Sequence, residues 1–144
     1  MRRSEPHTFN FPCPEPSPDW YWVRGLHDAA VLSIETFEYP FDYEKFIREK
    51  DAYTRNCMTM KIDARGAMFD YTVKEIRFFN YKVLDGSASP DGKKNLLWIG
   101  DRLEDHKKYF TLEIDCVDID ARYSYITIKL KFDRAETDRA PAFA

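Results

Sequence analysis

The chain has 144 residues, about one ordinary domain, and a formal net charge of −3 with its lysines and arginines scattered along it, which excludes the basic footprint of a nucleic-acid binder. Only 5 glycines are present, too few for phosphate-cradling loops, whereas 16% of the residues are aromatic, a composition that suits pleated, half-buried strands. No run approaches the roughly 18 apolar residues that span a bilayer, and Met1-Arg2-Arg3 leads into Ser4, Glu5 and Pro6 rather than an apolar signal core.

Five of the eight prolines, Pro6, Pro12, Pro14, Pro16 and Pro18, fall in residues 1–19. That density denies the segment helix and ladder hydrogen bonds and predicts an extended arm, with Phe9 and Phe11 available to pin it. One β domain is expected over residues 20–133, opening on Trp20-Tyr21-Trp22-Val23. Ala30, Leu32 and Ile34 alternate with Val31, Ser33 and Glu35 at the period of a strand. Asp42 is placed to cap a short helix through Lys50, whose Tyr43, Phe46 and Ile47 share one face.

Met58, Met60 and Ile62 alternate with Cys57, Thr59 and Lys61, and Asp63-Ala64-Arg65-Gly66 follows as a turn. Phe69, Tyr71 and Val73 continue the alternation until the apolar phase changes at Ile76, Phe78 and Phe79, which predicts a β-bulge near Lys74-Glu75. Residues 85–95 read as an exposed loop, and Leu96-Leu97-Trp98-Ile99 as a short buried strand ended by Gly100-Asp101. The strongest pattern is an antiparallel hairpin, Phe110 to Cys116 against Ile126 to Phe132, with a turn longer than two residues. Residues 134–144 are small and polar and read as a mobile tail. Strand patterns without a βαβ rhythm give a mainly β fold, an antiparallel sandwich or partly closed barrel with one short helix.

Chemistry-bearing groups are few. His27-Asp28 pairs an imidazole with a carboxylate, but neighbours on a strand point to opposite faces, so a structural role at the strand entrance is expected. Asp115, Asp118 and Asp120 lack the glycine and closing glutamate of a calcium loop. Cys13, Cys57 and Cys116 are odd in number and unpaired in spacing, as reduced thiols of the cytosol are, and no structural metal or cofactor is expected. Tyrosine and tryptophan beyond what one core absorbs (Trp20, Tyr21, Trp22, Tyr39, Tyr43, Tyr109, Tyr123 and Tyr125) are the residue types enriched at binding hot spots.

The stretch Gly25-Leu26-His27-Asp28-Ala29-Ala30-Val31-Leu32-Ser33-Ile34 resembles the Leu-His-Asp-x-x-Ile/Val opening of small bacterial β proteins, some of them similar to immunity proteins of contact-dependent or polymorphic toxin systems. Leu112-Glu113-Ile114-Asp115 leading to Tyr123-Ser124-Tyr125-Ile126 is similar to the acidic, tyrosine-containing hairpin such proteins often carry. The Pro-rich arm and the helix after Asp42 depart from that pattern. The resemblance implies binding without catalysis, an aromatic and acidic face occluding a toxin. The expected binding residues are Trp20, Tyr21, Trp22, Tyr123 and Tyr125, with Asp118 and Asp120 on the rim and another protein as partner. Two competing classes remain open: a small-ligand carrier or small enzyme with aromatics lining a barrel cavity, and an assembly module that forms a homodimer.

Overall fold

The computed structural model describes residues 7–9, 26–50, 53–67 and 73–139. Among these the order is β1 (His7–Phe9), β2 (Ala30–Glu38), α1 (Tyr43–Glu49), β3 (Asn56–Asp63), β4 (Val73–Phe79), β5 (Lys82–Val83), β6 (Lys94–Asp105), β7 (Phe110–Asp118), β8 (Ser124–Phe132) and β9 (Arg134–Arg139). The fold is mostly antiparallel β with a single short helix among the described residues. The sheet runs β5-β8-β7-β6-β2-β3-β4-β9, and β1 pairs with β6, so the arm expected to form no ladder hydrogen bonds joins the sheet through His7–Phe9, three residues without a proline.

This path is not a closed ring of ladders, but its two ends meet at one corner. Phe79 pairs with Arg134, and Lys82 with Lys131, three residues on along one strand and three back along the other. The two short ladders therefore keep a single register across the gap. Asp133, the one residue between β8 and β9, donates its N–H to Phe79 O at 3.2 Å. The sheet must curl to bring β4 and β8 together, and Phe78 packs on Phe132 with ring centroids 4.8 Å apart. Trp98, Phe78 and Phe132 fill the interior with Met58, Met60, Leu103 and Leu112, all sealed from solvent. Burying such side chains is the dominant favourable term in folding.

The strongest period-2 segments fold as their patterns predict. Met58, Met60 and Ile62 face inward on β3. The hairpin of β7 and β8 pairs from Phe110↔Phe132 to Asp118↔Ser124 around residues 119–123. The phase change on β4 coincides with a register shift between Val73 and Glu75; Phe69 and Tyr71 lie outside the described residues.

Four further expectations are corrected. On β2, Val31 and Ile34 are buried and Leu32 is 46% exposed, because a bulge between Val31 and Ser33 shifts the phase. Second, β6 does not end at Gly100 but bends there through a register shift between Trp98 and Gly100 and continues to Asp105; a strand glycine marks a bulge as readily as an end. Third, β6 also starts earlier than expected, taking Lys94 and Asn95 from the predicted loop. Fourth, residues 134–139 are not a tail but the strand β9 beside β4. The Arg77 guanidinium of β4 donates to Glu136 at 3.3 Å and to Asp138 at 3.1 Å, and Ala135 is buried. Main-chain pairing needs no apolar pattern, so a strand this polar left no periodicity to read.

Antiparallel order sorts the connections onto two ends. The β2–β3, β4–β6 and β7–β8 connections emerge at one end. The turn before β2 and the β3–β4 and β6–β7 connections emerge at the other.

Candidate binding face at one end of the sheet

The candidate site grows from the β2–β3 connection. The ladder between these strands reaches Glu38↔Asn56, and a further rung forms where Tyr39 N–H donates to Arg55 O at 2.6 Å. The Arg55 Nε–H donates back to Tyr39 O at 3.0 Å, closing the neck of a lobe over residues 40–54.

Within the lobe, Asp42 caps α1 by accepting from Lys45 N–H at 3.1 Å, as its position predicts. Tyr53 Oη accepts from Asp42 N–H at 2.9 Å. Phe41, Phe46 and Tyr53 pack edge-on or tilted, their centroids 5.7 to 6.0 Å apart. A helix this short is marginal alone, and no residue of α1 is buried. Phe37, Tyr39, Phe41, Tyr43, Phe46 and Ile47 are all exposed. Hydrophobic side chains at helical spacing normally face a core; here they face solvent.

A cleft of about 720 Å³ runs beside the lobe, lined among others by Tyr39, Tyr43, Tyr53, Thr54, Phe79 and Arg134. The Arg134 guanidinium stacks 4.2 Å from the Phe79 ring centroid. Beneath this surface Thr54 Oγ1 is the one buried side-chain polar atom without a hydrogen-bond partner among the described residues. Burying a hydroxyl in that way costs about 1–3 kcal/mol. The cleft lies outside the sheet, whereas the interior is filled by side chains.

The hairpin tip emerges at the same end. Tyr123 and Tyr125 are 68% and 81% exposed. Asp120 stays at the surface and accepts from Asn95 Nδ2 at 2.9 Å. Asp118 departs from the rim role expected for it: it is 8% exposed, and its Oδ1 accepts from Ala121 N–H at 3.3 Å, so it shapes the turn. Trp20, Tyr21 and Trp22 lie outside the described residues. Tyr109 is half-buried, stacked on His106 and covered by Lys131 Nζ at 4.3 Å.

His27 and Asp28 sit at the opposite end, in a turn rather than on a strand, and the turn brings together side chains a strand would separate: His27 Nδ1 lies 3.1 Å from Asp28 Oδ2. Asp28 has φ of 74°. Its N–H donates to Trp98 O at 2.8 Å, and Ala29 N–H donates to Leu26 O at 2.8 Å. With Leu26 and Ala29 fully buried, the Leu-His-Asp stretch anchors β2 to β6.

Both described cysteines are free and buried. Burial, reinforced by Asp115 and Asp118, pushes the Cys116 thiol up to about 12. Burial also raises Cys57, against the hydrogen bond from Thr59. Neither is a poised nucleophile. Among the described residues no group of three potential ligands is arranged for a metal, and no helix is long and apolar enough to cross a membrane.

Phe37, Phe41, Phe46 and Ile47 were the functional candidates that pattern reading missed. Phe37 lies on β2 itself, paired with Cys57 and out of phase with the buried Ile34, whereas the neck at Tyr39 and Arg55 carries Phe41, Phe46 and Ile47 away from the ladder. Compared with protein-family models, with curated proteins and with solved structures, the chain matches none.

Proposed function

We propose that the chain is a non-catalytic protein-binding domain whose docking surface is the end of the sheet carrying α1 and the β7–β8 tip. The observation that carries this reading is the concentration of exposed aromatics there: Phe37 and Tyr39 at the end of β2, Phe41, Tyr43 and Phe46 in the lobe, and Tyr123 and Tyr125 on the hairpin. Large apolar patches on monomers mark interaction sites, and aromatic anchors dominate interface energetics. The net charge of −3 disfavours nucleic acid as the partner. The buried free thiols are consistent with a reducing compartment, the cytosol.

The narrower form of this reading is an immunity-like protein that occludes a toxin. It is supported by the Leu26-His27-Asp28 and Tyr123-Ser124-Tyr125 resemblances. In that form the hairpin tyrosines contact the toxin, and Asp120 tunes the association rate and its salt dependence.

The test is to retain partners on the immobilised chain, purify the retained protein and titrate it against Tyr123→Ala and Tyr125→Ala. The expected loss is at least about 2 kcal/mol of binding for one of the two, with an unchanged melting temperature. Wild-type affinity in both variants overturns the hairpin's role. Retention of a low-mass compound in place of a protein turns the reading toward a ligand carrier.

A further inference from the structure

The lobe poses a specific question of occupancy.

The charges of α1 indicate what does cover it. On a helix of 3.6 residues per turn, Tyr43, Phe46, Ile47 and Lys50 form one stripe. Glu44 and Arg48 flank it on one side, Glu49 and Lys45 on the other. Each flank thus carries one acid and one base four residues apart, the spacing of an intrahelical ion pair. Yet none of these four side chains has an ion-pair partner among the described residues. When two copies of a helix pack antiparallel about a twofold axis, each flank meets its own copy reversed. Glu44 then faces Arg48 of the second copy, Lys45 faces Glu49, and both relations repeat by symmetry. A surface built for a strongly charged partner would carry an excess of one sign; this one is balanced and self-complementary.

We infer that the α1 lobe is a homodimer interface in which two copies of α1 pack antiparallel through Tyr43, Phe46 and Ile47, with Glu44–Arg48 and Lys45–Glu49 pairs fixing the orientation. This rests on the reading of this end as a protein-binding surface and assigns the lobe to a second copy. Burial of the aromatic stripe supplies the affinity and the exposed ion pairs supply register.

Sedimentation equilibrium of the full chain tests it. The wild-type chain sediments as a dimer, and Phe46→Asp sediments as a monomer with unchanged circular dichroism, since α1 contributes no buried residue to the fold. Arg48→Glu places like charges opposite each other twice and weakens dimerisation about tenfold; adding Glu44→Arg to it restores the affinity. A monomeric wild-type chain overturns the inference, as does a dimer that survives Phe46→Asp. Equal affinity of the single and double charge variants removes the antiparallel arrangement. None of these results touches Tyr123 or Tyr125, so failure here and failure of the hairpin titration are separate outcomes.

Discussion

Trp98 and Phe46 are both aromatic residues within apolar periodic segments, yet one is sealed among the strands and the other stands on a helix that buries nothing. The interior of the sheet and the α1 lobe share a composition but not a role. Around Trp98 the apolar side chains face one another across a curled sheet. Around Phe46 the chain has left the ladder at Tyr39 and returns at Arg55, so the same residue types are held by ring contacts with Phe41 and Tyr53, by the Asp42 cap and by local hydrogen bonds among Asp42, Lys50 and Tyr53. Hydrophobic patterning therefore reports which residues need cover, and topology decides whether the chain itself supplies it.

The sharpest way to break this comparison is to delete one aromatic from each region. Trp98→Ala opens a cavity in a close-packed interior and should cost about 3–5 kcal/mol in denaturant unfolding. Phe46→Ala, measured in dilute solution, should cost under about 1 kcal/mol. Equal losses would mean that the lobe is part of the core after all.

A smaller effect separates backbone from side chain at the anchor of β2. With φ of 74°, Asp28 occupies the left-handed region, which costs an ordinary L-residue about 1–2 kcal/mol. Asp28→Ala should lose about that much stability while Asp28→Gly loses almost none, because glycine accepts this conformation. Equal losses in both variants would assign the stability to the His27 contact instead.

Thr54→Val should act in the opposite direction, raising stability by about 1 kcal/mol, because it replaces a buried hydroxyl that has no partner with a side chain of similar shape. A loss in this variant would show that the hydroxyl is satisfied in solution.

The smallest effect is electrostatic. Hydrogen bonds from the Arg65 side chain and backbone hold the Asp63 carboxyl at about 2, and Arg77 holds Asp138 below its ordinary value of 3.8. A depressed carboxylate contributes stability that is complete above its unfolded pKa and is lost as pH falls through its folded one. Both pairs should thus weaken the fold modestly from about pH 4 down to pH 2, and added salt should shrink the change. Arg65→Gln should remove the Asp63 share of that slope.

Much of the site chemistry could be read early only in part. Asp42 announced the helix, and Tyr43, Tyr123 and Tyr125 were recognisable as surface candidates, since a phenol pairs an apolar ring with a tip that prefers water. Asp118 was not separable from Asp120, because two aspartates two positions apart look alike until one of them is folded under the turn and accepts from Ala121. Phe46 and Ile47 were legible only as one face of a helix, because nothing local distinguishes an apolar stripe that will be covered by the same chain from one that will not.

What the amino-acid sequence determined by itself is the local content: alternation on β3, β7 and β8, the capped helix, the turn at Asp63 and the phase change on β4. Each follows from side-chain period and turn chemistry within a few residues. Only the tertiary structure decided that β6 runs through Gly100, that Arg134–Arg139 is a strand, and that the ends of the sheet meet where Asp133 bridges to Phe79. Those outcomes depend on main-chain partners 50 or more residues away along the chain for β9, and backbone hydrogen bonds carry no signature in the side chains that flank them.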